Sequence, residues 1–211
     1  MQGEVRVLLV DDHAVVRQGY RHLLEKSNIQ VVAESDSGEE AYRLYTETDP
    51  DVVIIDLSMP GMGGLEALRR IISRDRNARV LVFSMHDDAI FPTRALQAGA
   101  FGYVTKASAP EVLVEAVMAI AHNRKYVSHD IAQQVAVHNI SGGDILNTLS
   151  SREFEVFTLL AQGRSVEEIA ASLHLDYKTI ANVQTRLRQK LNVENSAQLM
   201  LLAIRLNIIK T

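Results

Sequence analysis

Three aspartates, a serine and a lysine occupy comparable places in the first half of the chain, each at the end of a short apolar run. Asp11 and Asp12 follow Val5-Arg6-Val7-Leu8-Leu9-Val10, Asp56 follows Val52-Val53-Ile54-Ile55, Ser84 follows Val80-Leu81-Val82-Phe83, and Lys106 closes the run that begins Gly102-Tyr103-Val104. Three carboxylates brought into contact repel one another unless something compensates them. A hard divalent cation does so, and Mg2+ binds through one or two carboxylates together with waters and a phosphate. Such a site can hold a phosphoryl group against Asp56, with Ser84 and Lys106 available to its outer oxygens. A single aspartate after a strand is commonly a cap or turn residue. The same arrangement at three or four strand ends is not explained by capping. The chain has no Cys, which excludes disulfides and thiolate metal sites and leaves covalent chemistry to oxygen and nitrogen.

These side chains converge only if the runs are parallel neighbours. Residues 5–10, 29–33, 52–55, 80–83 and 102–104 read as five strands, four of them nearly continuous apolar runs of the kind buried on both faces. Segments 38–46, 64–73 and 90–98 are long enough for crossover helices. The βαβ rhythm predicts an α/β, flavodoxin-like, doubly wound parallel sheet of five strands spanning residues 1–122, and ligands of such sheets bind beyond the carboxyl ends of the strands. Gly61-Met62-Gly63-Gly64 lacks a phosphate-loop spacing and reads as a flexible turn into the next helix. After that domain the strands stop. A helix over 128–137 and the Gly-containing stretch 139–144 form a helical linker, 123–147. From 148 to 211 only helical patterns occur, at 152–162, 166–173, 177–191 and 196–206, with Gly163 and Asp176 placed as a C′ residue and an N-cap.

Together, Val10-Asp11-Asp12-His13, Asp56-Leu57-Ser58-Met59-Pro60-Gly61, Ser84 and Gly102-Tyr103-Val104-Thr105-Lys106 resemble the receiver domain of bacterial two-component response regulators over about 120 residues. That resemblance implies that Asp56 accepts a phosphoryl group from a histidine kinase. It implies Mg2+ coordination by Asp12, Asp56 and the Ser58 carbonyl, with Asp11 acting alongside, and phosphoryl contact by Lys106. Ser84 and Tyr103 would be the switch pair, the ring turning inward as the hydroxyl moves to the phosphoryl group. A dehalogenase-like phosphatase would need a second acidic residue where Ser58 stands, so the reading is regulatory and not enzymatic.

The net charge of −4 argues against a nucleic-acid partner until it is divided along the chain. Residues 148–211 hold eight Lys and Arg against six Asp and Glu, whereas residues 1–147 hold 14 against 20. Between 177 and 193 the charged residues are Lys178, Arg186, Arg188 and Lys190, all positive. At helical spacing Ile180, Val183, Leu187 and Leu191 form one stripe, with Lys178, Asn182, Thr185 and Gln189 opposite. Amide and basic groups on an outer face suit the major groove, Arg and Lys on phosphates and Asn182 on an adenine edge. A solvated surface helix has the same pattern.

Leu149-Ser150-Ser151-Arg152-Glu153-Phe154-Glu155-Val156, Gly163-Arg164-Ser165-Val166-Glu167-Glu168-Ile169-Ala170, Thr179-Ile180 and Lys190-Leu191-Asn192-Val193 resemble the LuxR-type helix-turn-helix of NarL/FixJ response regulators. The resemblance makes 177–191 the recognition helix. Its DNA-binding residues are expected to be Lys178, Thr179, Ala181, Asn182, Thr185, Arg186, Arg188 and Lys190. Ala181 and Val183 stand where that family commonly has Lys and His, which makes binding per monomer modest and a homodimer important. The expected protein is therefore a cytoplasmic, phosphorylation-controlled transcription factor with no apolar run near bilayer length. The alternative is a phosphorylation-independent adaptor with degenerate DNA binding.

Overall fold

The apolar runs of the first half become parallel strands: β1 (Val5–Val10), β2 (Ile29–Ser35), β3 (Val52–Ile55), β4 (Val80–Ser84) and β5 (Gly102–Thr105). The computed structural model describes residues 4–140, 145–206 and 208–209. A sixth strand, β6 (Tyr126–Val127), joins the edge beside β5, and the sheet order is β2-β1-β3-β4-β5-β6. The expected five strands are thus corrected to six. Two residues are too few to show a period of two, so the pair was invisible inside the expected linker. There Gly102 pairs with Tyr126 and Tyr103 with Val127.

Helices α1 (Ala14–Lys26), α2 (Gly38–Thr48), α3 (Gly64–Arg74), α4 (Ile90–Gln97) and α5 (Pro110–Ala121) alternate with the strands. Successive strand residues point to opposite faces. Val7, Leu9, Ile54, Leu81, Phe83 and Val104 pack with Leu24 of α1 and with Leu113, Val117 and Ile120 of α5. Leu8, Val10, Val53, Ile55 and Val82, which alternate with them, are buried as well. Burial on both faces is why these strands read as unbroken apolar runs. Helix α6 (His129–Ile140) follows β6, and the chain divides into two compact units between His138 and Asn139. Of the expected Gly-containing linker, residues 141–144 lie outside the described residues.

The second unit is helical: a 3-10 turn at Ile145–Thr148, then α7 (Ser151–Ala161), α8 (Val166–Ser172), α9 (Tyr177–Leu191) and α10 (Ser196–Arg205). Ser150 with Glu153, and Ser165 with Glu168, form reciprocal capping boxes that fix where α7 and α8 begin. Gly163 follows α7 at φ 84°, a left-handed turn that glycine adopts freely. Phe154, Phe157, Ile169, Leu173, Ile180, Val183, Leu187 and Leu199 form the buried interior.

Candidate functional site

Backbone pairing carried one residue past the strands positions the acidic pocket. Asp11 N donates to the Ser35 carbonyl at 3.1 Å, Asp56 N to the Val10 carbonyl at 3.0 Å, and Lys106 N to the Ser84 carbonyl at 2.8 Å. The ladder therefore fixes these Cα positions before any side chain makes a contact. Arg17 of α1 adds a donor to the Asp11 carbonyl at 2.5 Å. On the other side, α3 starts hard against Asp56: a Cβ on Gly64 would run into the Asp56 carbonyl oxygen and Leu57 Cα. Gly64, expected where the turn enters this helix, is its first residue and also a point of close backbone approach.

Lys106 Nζ lies 2.6 Å from Asp11 Oδ2 and 2.6 Å from Asp56 Oδ2, with 6% of the lysine and 3% of each aspartate side chain exposed. Burial by itself would lower the pKa of this ammonium; the charges and hydrogen bonds of Asp56 and Asp11 outweigh it and raise the value. Asp12 lies nearer the surface. Its Oδ1 is nonetheless buried and receives no hydrogen bond, the neighbouring His13 Nδ1 standing 2.8 Å away but off the line of one. Ligand atoms of Asp11, Asp12, His13 and Asp56 all fall within 4.8 Å of one another. A carboxylate-rich set with one unsatisfied buried oxygen fits a hard, oxygen-seeking cation such as Mg2+. His13 was not among the expected site residues; its place directly after Asp12 was the available signal.

Ser58 N donates to Asp56 Oδ1 at 3.3 Å, while its hydroxyl lies 3.0 Å from His86 Nε2. His86 also escaped the sequence reading, although it follows Ser84 by the same two residues that separate Ser58 from Asp56. Its ring stacks on Phe91 at 3.7 Å and 8°. Burial lowers its pKa, against the pull of Asp88 and Asp56. Ser84 Oγ accepts from His86 N at 3.4 Å, and the Tyr103 hydroxyl donates to the His86 carbonyl at 2.7 Å. The expected switch pair is therefore linked through one peptide segment. Tyr103 is fully buried, and burial pushes its phenol pKa well up.

The second candidate site lies on α9. Ile180, Val183, Leu187 and Leu191 are buried, as the spacing requires, while Lys178, Thr179, Asn182, Thr185 and Arg186 are exposed and Ala181 is half-buried. Thr179, Asn182, Thr185 and Arg186 line one shallow hollow. Val183 belongs to the core, so of the two departures in this helix only Ala181 alters the outer surface. The cations divide into two sets. No hydrogen bond or ion pair among the described residues engages Lys178 or Arg186, whereas Arg188 Nη2 donates to Ser196 Oγ at 3.3 Å. Lys190 Nζ donates to Glu153 Oε2 at 2.7 Å and to the Thr148 carbonyl at 3.1 Å.

Comparison with known proteins matches a family to each of the two units. The family model of the response regulator receiver domain matches residues 7–118, and that of bacterial regulatory proteins of the luxR family matches residues 147–203. The response regulator UvrY of Escherichia coli (strain K12) is 38% identical over 205 residues, covering 95% of this chain and 94% of its own. GacA of Pseudomonas aeruginosa, also a response regulator, is 37% identical over 205 residues, covering 95% and 96%. Among solved structures, RcsB of Salmonella enterica serovar Typhimurium, bound to promoter P1flhDC in the presence of phosphomimetic BeF3-, superimposes with a TM-score of 0.69 at 28% identity, covering 94% of this chain and 97% of that one. Strand-end acids bridged by a buried lysine in one unit, a family match to each unit, and response-regulator relatives similar along nearly their whole length place the chain in the NarL/FixJ family of two-component response regulators.

Proposed function

We propose that the chain is a cytoplasmic, phosphorylation-controlled transcriptional regulator that takes a phosphoryl group on Asp56 from a histidine kinase with Mg2+ and binds DNA as a homodimer through α9. One observation carries the reading: a buried ammonium bridges Asp11 and Asp56 beside an unsatisfied Asp12 oxygen. This pocket already holds cationic charge where a phosphoryl group would bring negative charge. In the transfer, an Asp56 carboxylate oxygen attacks phosphorus and forms an acyl phosphate; the bond to the donor imidazole breaks, and that nitrogen keeps the electron pair. Mg2+ held by Asp12, Asp56 and the Ser58 carbonyl, with Asp11 alongside, would neutralise the crowded oxygens.

The phosphoryl group carries roughly −1.5 to −2 charges in place of the single charge of the Asp56 carboxylate, and it brings new acceptor oxygens. Lys106 then has a stronger partner than Asp11, and the Ser84 hydroxyl can turn to donate to it. Because His86 N bonds Ser84 and the His86 carbonyl bonds Tyr103, a shift at the serine pulls on the segment that holds the tyrosine. A local charge change thereby biases a repacking of the β4 and β5 ends.

On α9, Lys178 and Arg186 are assigned to phosphates, and Asn182 with Thr185 to base edges, with Thr179 and Ala181 close to the duplex. The RcsB relative, solved bound to a promoter, supports DNA as the partner. Treatment with acetyl phosphate and Mg2+, followed by intact-mass spectrometry and light scattering, tests the reading. One phosphoryl increment, lost in Asp56→Asn and in EDTA, and a doubling of the particle mass are expected. An unlabelled Asp56 that leaves the protein monomeric would favour a phosphorylation-independent adaptor.

A further inference from the structure

We propose that Lys190 is a positioning residue and not a phosphate contact: its ammonium, held by Glu153 and the Thr148 carbonyl, anchors the last turn of α9 to the start of α7, and Lys178 and Arg186 supply the cations of α9 that reach DNA. The DNA half of this inference rests on the function proposed above; the anchor does not. Lys190 is separated from Glu153 by 37 residues and from Thr148 by 42, so the contact ties distant pieces of chain together. Glu153 Oε2 is a shared acceptor, taking Lys190 Nζ at 2.7 Å and Ser150 N at 2.8 Å. One carboxylate thus completes the α7 capping box and seats α9.

The burial of that carboxylate decides the competition. The Glu153 side chain is 7% exposed and that of Lys190 40%. If Lys190 swung out to a phosphate, it would gain a solvated partner and leave a buried carboxylate without its counter-charge, which is the costly way to break such a pair. Burial alone would raise the Glu153 pKa; the hydrogen bonds from Lys190 and Ser150 outweigh it and lower the value. Arg188 is likewise turned aside, toward Ser196. Lys190 therefore serves the placement of the recognition helix.

Salt dependence separates a phosphate contact from an anchor, because each contact contributes about 0.9 to the slope of log K against log salt. In the full-length protein on promoter DNA, Lys178→Gln and Arg186→Gln should each flatten that slope by about 0.9 per protomer. Lys190→Gln should weaken binding by the same factor at every salt concentration and leave the slope unchanged. Without DNA, Lys190→Gln and Glu153→Gln should be coupled in denaturant unfolding: the double variant should lose less than the two single shifts added together. A slope flattened by Lys190→Gln, an unchanged affinity in that variant, or additive unfolding shifts would each overturn the proposal. If the wild type binds no DNA in a salt-dependent way, the function proposed for α9 fails, and the unfolding cycle still decides the anchor.

Discussion

Lys106 separates two aspartates that would otherwise face one another across a site from which water is largely excluded, so its removal should be felt first as lost stability. Lys106→Met leaves Asp11 and Asp56 buried without a counter-charge, and breaking a buried pair in this way costs about 3–5 kcal/mol. Mg2+ can compensate the same carboxylates. Urea unfolding of the variant should therefore show a midpoint well below wild type in EDTA and a larger rise on adding Mg2+ than wild type shows. Equal midpoints in EDTA would mean that the bridge at 2.6 Å contributes little. The principal side chains here were legible in the sequence, because Asp11, Asp56, Ser84 and Lys106 sit where parallel strands end and the strands themselves are marked by apolar runs. His13 and His86 were not. The Ser58 to His86 contact joins residues 28 apart, and only the adjacency of β3 and β4 brings their following loops together.

Elements carry two further predictions, one steric and one electrostatic. At Gly64 a methyl group would meet backbone atoms of Asp56 and Leu57, while at Gly19, inside α1, it would meet nothing within 4 Å. Gly64→Ala should cost about 1–3 kcal/mol through overpacking and displace Asp56, slowing its labelling by acetyl phosphate. Gly19→Ala should stabilise by about 0.5–1 kcal/mol, since glycine is costly in a helix interior. Opposite signs in a thermal melt check the pair, and equal effects would contradict the steric account. The electrostatic prediction concerns Glu153, whose carboxyl pKa is lowered in the fold. A depressed folded pKa adds stability above the unfolded pKa, and that stability is lost as pH falls through the folded value. The helical unit should therefore weaken on acidification below the ordinary glutamate range, and Glu153→Gln should flatten that dependence. The outer face of α9 was legible from its period. The anchoring of Lys190 was not, because a helical wheel records which way a residue points and says nothing of what lies there. In the same way β6 is created by the neighbouring β5 and not by any pattern of its own.

At the scale of the whole molecule, charge works against the proposed activation. Residues 1–147 carry 14 basic against 20 acidic residues, and residues 148–211 carry eight against six. The phosphoryl group falls on the acidic part, where its roughly −1.5 to −2 charges replace the single charge of the Asp56 carboxylate and so add up to about one negative charge. Long-range electrostatics then makes the phosphorylated monomer a slightly poorer ligand for DNA than the unmodified one. A gain in DNA affinity must therefore come from elsewhere, and joining two reading helices is the source consistent with so few outward cations on each. Linking two modules converts the second contact into an intramolecular one and can raise avidity by about 10²–10⁴ without any new contact. Acetyl phosphate should accordingly strengthen binding to DNA carrying two half-sites by about tenfold or more, while binding to a single half-site stays the same or weakens. Fluorescence anisotropy on the two duplexes, with Asp56→Asn as the reference, measures both. An equal gain on the single half-site would show that phosphorylation acts on each recognition helix separately, and the charge argument for dimer-driven binding would fall with it.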